Sequence, residues 1–146
     1  MTATQAVPLS LLYEQDETAW LEVMADLVAQ RRYAELDYLH LSEYLADMAK
    51  RDQREVFSRL VILMSHLLKW QHQPDKRSGS WRGTIREQRR ELNQLLESET
   101  LRNHAPLVLL DAHAEARKQA SDETELSLGT FPQECPWELA ELLSEE

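Results

Sequence analysis

Five histidines offer the first candidates for chemistry: His40, His66, His72, His104 and His113. None forms an H-E-x-x-H pair, and no two stand four apart on one helix. Asp37, His40 and Glu43 share a helix face at i, i+3 spacing. A di-metal helical bundle needs two E-x-x-H elements and two further glutamates, and no E-x-x-H occurs. No metal ligand set is therefore predicted. His66 lies among apolar residues and is expected as a hydrogen-bonded core histidine. Cys135 precedes Pro136 in an acidic stretch with no adjoining histidine, so a packed thiol is expected rather than a nucleophile. There is no G-x-S-x-G, Walker A or G-x-G-x-x-G sequence. The residues name no catalytic group and no cofactor; the question of an enzyme stays open, leaning against.

Charge is more informative. The chain carries 16 Lys and Arg against 26 Asp and Glu, a net −10. Residues 50–90 hold 11 basic and 4 acidic residues; the rest hold 5 and 22. A segment of +7 thus sits in a chain that is otherwise −17. Its densest part surrounds a turn and a helix start, where unpaired N–H groups and the helix dipole favour anions. Lys76, Arg77, Ser78, Ser80, Trp81, Arg82, Arg86 and Arg89 are the candidate anion- or partner-binding residues. Trp70 and Trp81 flank the turn and could stack a base or fill a core. Three readings stay open: neutralisation by the chain's own acids, the acidic tail included; a site for phosphate, nucleotide or nucleic-acid backbone; and a protein interface with Trp and Arg anchors.

These residues need elements to position them. With 146 residues, 3 Gly and 5 Pro, an all-β fold lacks its turns. One Cys excludes an internal disulfide framework and a multi-cysteine zinc site. The expectation is all-α: one compact helical bundle over 1–146, with five main helices and a short C-terminal one. Helices are predicted at about 10–30, 33–49, 52–71, 81–97 and 106–121. The stripe Val56, Leu60, Leu63, Met64 and Leu67, widened by Val61, Ile62 and Leu68, makes the third central. Ser80 reads as the fourth helix's N-cap and Pro106 as the fifth helix's first residue. The fifth helix carries Leu107, Leu110 and Ala114, with Val108 and Leu109 adding bulk. Residues 1–9 are expected to be flexible. Residues 121–146 are expected to form an acidic strap packed on the bundle through Leu126, Leu128, Phe131 and Trp137, with Pro136 opening the last helix. No run of about 18 apolar residues exists, and the first residues lack a leader pattern, so a cytoplasmic location without membrane contact is expected.

The run HLLKWQHQP at 66–74, RSGSW at 77–81 and TIREQRREL at 84–92 resembles the bacterial "domain of unknown function 29" family. LYEQD with Trp20, LDYLHLSEYL at 36–45 and FPQECPW at 131–137 follow the same pattern. At His72 the family more often carries Tyr. The resemblance implies a compact all-helical domain and no established activity, cofactor or partner.

The leading functional expectation is a non-catalytic interaction or regulatory module. Its basic patch over 73–90 would meet an acidic partner surface or a second copy. The alternatives are a binder of phosphate-bearing ligands or nucleic acid through that patch, and an enzyme on a phosphate ester with His66 or His72 as base.

Overall fold

The computed structural model describes residues 7–145. Among them the chain is all-α, with six α-helices and no strand: α1 Leu9–Gln15, α2 Glu17–Ala29, α3 Tyr38–His72, α4 Gly79–Leu95, α5 Glu99–Thr124 and α6 Leu139–Leu143. No described helix is long and apolar enough to cross a membrane. Most of the segment expected to be flexible lies outside the described residues; of it, Val7 and Pro8 precede α1. The chain divides into two compact units, Met1–Ala49 and Lys50–Glu146. The helix α3 contributes 38–49 to the first and 50–72 to the second.

The first unit is organised by Trp20, Met24 and Leu27, buried along one face of α2. The single helix expected over 10–30 is broken at Asp16. Its extended backbone ends α1, and its carboxylate caps α2 by accepting from the Ala19 N–H at 3.1 Å. A side chain that satisfies orphan donors in this way favours a new helix start over continuation. Tyr13 meets Trp20 edge-on at 4.7 Å and stacks on His40 at 4.4 Å. Asp37 accepts from the Trp20 indole at 3.1 Å and bonds His40 Nδ1 at 2.8 Å. Asp37 and His40 thus serve aromatic packing, and the described residues include no cluster of three or more His, Cys, Asp or Glu placed to hold a metal.

The two helices expected at 33–49 and 52–71 are one helix, α3. The sequence A-K-R-D-Q-R between them changes polarity but holds no Gly or Pro, and these residues propagate a helix well. In the second unit α3 buries Val56, Leu60, Val61, Leu63, Met64 and Leu68. Lys69 also lies above Trp81, and Arg59 bonds Gln88 at 3.1 Å and reaches Glu91 at 3.8 Å. Position pairs that converge in this order place α3 and α4 antiparallel.

The start of α4 differs from expectation. Ser78, not Ser80, is the N-cap, its hydroxyl accepting from the Trp81 N–H at 3.2 Å. Ser98 likewise caps α5 through the Leu101 N–H, so Pro106 falls inside that helix rather than at its first turn. Pro106 and Arg102 are both exposed, so the carbonyl that the proline leaves without a donor can reach water. The buried face of α5 is also not the leucine stripe. Leu107 and Leu110 are 80% and 70% exposed, and Ala114 is exposed, whereas Ala105, Ala112, Ala116 and Ala120 are fully buried. Small side chains line the buried face of α5, and these leucines are left outside.

Beyond α5 the chain turns at Glu125, whose left-handed φ of 63° ends the helix. Phe131 and Leu142 are buried, with Leu126, Cys135 and Trp137 packed against the same core. Leu128 is exposed and is no anchor, but its carbonyl and that of Phe131 accept from Arg117 at 3.0 and 3.2 Å. Not Pro136 but Glu138 opens α6, through a reciprocal capping box with Glu141.

Candidate functional site

A cavity of about 540 Å³ lies between the end of α3 and the face of α4. Leu67, Trp70 and Ile85 supply its apolar wall, and Arg82, Arg86 and Arg89 its cationic one. Glu145 is its carboxylate. The arginines share a face because they stand four and three residues apart on α4. The capped start of α4 and the short turn at Pro74–Lys76 bring that face beside Trp70.

Some cations of the basic segment are paired with the chain's own acids and others are not. Lys69 is 6% exposed and pairs with Glu123 at 2.6 Å. Arg59 pairs with Glu55 at 2.8 Å, and Arg90 with Glu91 at 2.9 Å. For these, neutralisation by the chain's own acids holds. Among the described residues, Arg77, Arg82, Arg86 and Arg89 form no ion pair with a carboxylate. Arg77 donates to the Trp70 carbonyl at 2.8 Å and lies 4.8 Å over its ring. Arg82 lies 5.4 Å over the same ring. Arg89 donates to the Leu142 carbonyl at 2.9 Å. Burial lowers the Arg89 pKa from the usual guanidinium range, and the charge of Glu145 works against that shift. The Arg86 side chain is exposed and has no hydrogen bond or ion pair among the described residues.

Of the candidate residues, Arg82, Arg86 and Arg89 therefore come together at the cavity. Lys76 and Ser80 are exposed outside it, and Ser78 is spent on the α4 cap. Arg77 is held against Trp70, and Trp81 lies under the Lys69 ammonium at 5.2 Å. Cations thus already lie over both tryptophan rings, which weakens the case for base stacking. Spacing along α4 did not point to Leu67, Ile85 or Glu145. The first two read as plain core positions, and Glu145 is remote in sequence.

No histidine lines the cavity. His66 is half-buried with Nδ1 on the Ile62 carbonyl at 2.9 Å, and burial, then the nearby Lys69 charge, lower its pKa. His72 meets Phe131 edge-on at 5.1 Å. The arrangement can hold an anion beside an apolar group; among the described residues it sets no histidine next to the arginines.

The family model described as "Domain of unknown function DUF29" matches residues 12–146. No curated protein and no solved structure matches the chain.

Proposed function

The chain belongs to the DUF29 family, a domain of unknown function, and from its cavity we propose that it is a non-catalytic binding module that takes an anionic group of a partner. The supporting observation is Arg86: an exposed guanidinium at an apolar-walled cavity, with Arg82 and Arg89 beside it and no carboxylate of the described residues paired to any of them. Clustered like charges repel, at about 0.2–0.5 kcal/mol per exposed helix pair. A bound anion would relieve that repulsion and gain charge-assisted hydrogen bonds. The net −10 of the whole chain limits long-range attraction, so recognition would be local and short-ranged. The single unpaired cysteine fits a reducing compartment, and the reading is of a cytoplasmic protein.

The test is a titration of the full chain with inorganic phosphate, short single-stranded RNA and polyglutamate, followed by NMR of the arginine side chains over a salt series. Binding of at least one probe, weakening with salt and lost in Arg86→Glu, is the expected result. If none binds at low salt, the proposal fails.

A further inference from the structure

Arg82, Arg86, Arg89 and Asn93 follow one another at spacings of four, three and four. That rhythm keeps them on one stripe of α4. The stripe spans about 16 Å along the helix, close to the length of five extended residues.

Half of this donor row is already engaged by peptide. Arg89 donates to the Leu142 carbonyl at 2.9 Å, and Asn93 to the Leu143 carbonyl at 3.2 Å. Both acceptors are main-chain atoms, so this half reads backbone rather than side-chain identity. Leu142, fully buried, fixes the segment in place. Three residues on, Glu145 lines the cavity with the other half of the row. There the Arg82 and Arg86 guanidiniums donate no hydrogen bond to any described residue.

We infer that the open half of the row takes an acidic peptide segment of a partner protein, with the chain's own Glu145 as its internal competitor. The inference rests on the reading of the cavity as an anion site and specifies the partner. Donors spread along a helix suit successive acceptors on an extended chain. A tetrahedral phosphate calls instead for donors that converge on one point. The wall of Leu67, Trp70 and Ile85 adds room for one apolar side chain. The fitting motif is therefore an apolar residue flanked by carboxylates, and in the tail that lies on the row Glu141 and Glu145 likewise bracket Leu142 and Leu143. Glu145 holds negative charge at the mouth and lowers the affinity for any such peptide.

Fluorescence anisotropy of a labelled Asp/Glu-rich octapeptide with one central leucine tests this on the full chain. The comparison probes are the same peptide with Gln for Glu, a single-stranded oligonucleotide, and inorganic phosphate as competitor. The acidic peptide is expected to bind, at least about tenfold weaker in Arg86→Glu. The Arg86 side chain has no hydrogen bond or ion pair among the described residues to lose, so this variant is expected to keep the fold; circular dichroism checks it. Glu145→Gln is expected to tighten peptide binding about two- to five-fold. Equal binding of the Gln peptide, or unchanged affinity in Glu145→Gln, overturns the inference. Oligonucleotide or phosphate binding that depends on Arg86, without peptide binding, also overturns it and leaves the anion site standing. If no anion binds, both readings fall.

Discussion

Arg77 caps the end of α3 through Trp70: its Nε donates to the Trp70 carbonyl at 2.8 Å while its guanidinium lies 4.8 Å over the Trp70 ring. The last carbonyls of a helix lack intrahelical partners, and a cation there also meets the negative end of the dipole. One arginine thus joins the close of α3 to the residue before the α4 cap. It also fixes the ring that walls the cavity.

Arg77→Ala is expected to destabilise the chain by about 1 kcal/mol, the size of one exposed hydrogen bond and cation–π contact together. Arg77→Lys should recover only part of this, because an ammonium cannot donate in the carbonyl plane and cover the ring at once. Urea unfolding of the three proteins measures the difference. Equal stability of Arg77→Ala and wild type would show that the contact contributes nothing.

The buried Lys69 makes a second prediction. Its ammonium pairs with Glu123 at 2.6 Å and lies over Trp81. Burial pushes the Glu123 carboxyl pKa up, but the Lys69 hydrogen bond and charge, with help from Gln119 and His66, bring it below the usual value. A carboxyl with a depressed folded pKa stabilises fully above its unfolded pKa, and that stability is lost as pH falls through the folded one. Glu123→Gln is expected to cost about 1–3 kcal/mol near neutrality. That is less than a fully buried pair, because Glu123 is 43% exposed. Lys69→Met removes the buried charge with its partner contact and should cost less. Below about pH 4.5 its stability should also decline more gently than that of wild type. Denaturation midpoints across pH 3–7 in the three proteins decide the matter, and a steeper acid decline in Lys69→Met would contradict it.

How far the sequence reveals this depends on which signals are local. The α4 stripe is legible because Ile85, Gln88 and Leu92 repeat at the helical period and are all buried. The core of α3 is legible for the same reason. The join at 49–52 is not, because a polarity change mimics a boundary where the backbone has no cause to break. Nor is the choice of Ser78 over Ser80 as cap: both can accept from an N–H three residues on, and only the backbone selects one. On α5, leucines outrank alanines in any hydrophobic count, yet Ala112, Ala116 and Ala120 are inside. Which face the rest of the core covers, a tertiary fact, decides that. The cavity follows the same division. The spacing of Arg82, Arg86 and Arg89 is local and readable; the arrival of Glu145 beside them requires the whole tail to be placed.

Asp37 gives a third prediction, confined to the first unit. It accepts from the Trp20 indole, from the His40 backbone N–H at 3.3 Å and from His40 Nδ1. Burial alone would raise its pKa, but these hydrogen bonds hold it below the usual carboxylate range. Asp37→Asn puts an amide donor where two acceptor oxygens are used, so one of these bonds turns repulsive. A loss of about 1–3 kcal/mol is expected. The stabilisation from the carboxylate is complete above its unfolded pKa of about 4 and disappears as pH falls through the folded value. Thermal unfolding of Asp37→Asn at pH 7 and pH 3 should therefore differ from wild type more at the higher pH. A constant difference would remove the carboxylate from the account.

His113 sets the acid behaviour in a higher window. It is 2% exposed, its ring edge-on to Trp137 at 6.3 Å, and its Nε2 has no hydrogen-bond partner. Burial first, and then the charge of Arg117, lower its pKa. The folded state therefore keeps the ring neutral where the unfolded chain, with a pKa of about 6.5, takes up a proton. Stability on this account is complete above about pH 6.5 and falls as pH drops toward the folded value. Arg117 also holds the Leu128 and Phe131 carbonyls, so charging His113 sets two cations against each other beside the tail's anchor. His113→Phe keeps a flat ring and removes the titration. Its stability should be flatter than that of wild type as pH falls below about 6.5. His66 shifts in the same direction, so His66→Gln should flatten the same window separately, and the double variant should combine the two. Chemical denaturation at half-unit pH steps resolves the curves. A His113→Phe profile parallel to wild type through this window would mean that the ring is protonated inside the fold, against the burial that the structure gives it.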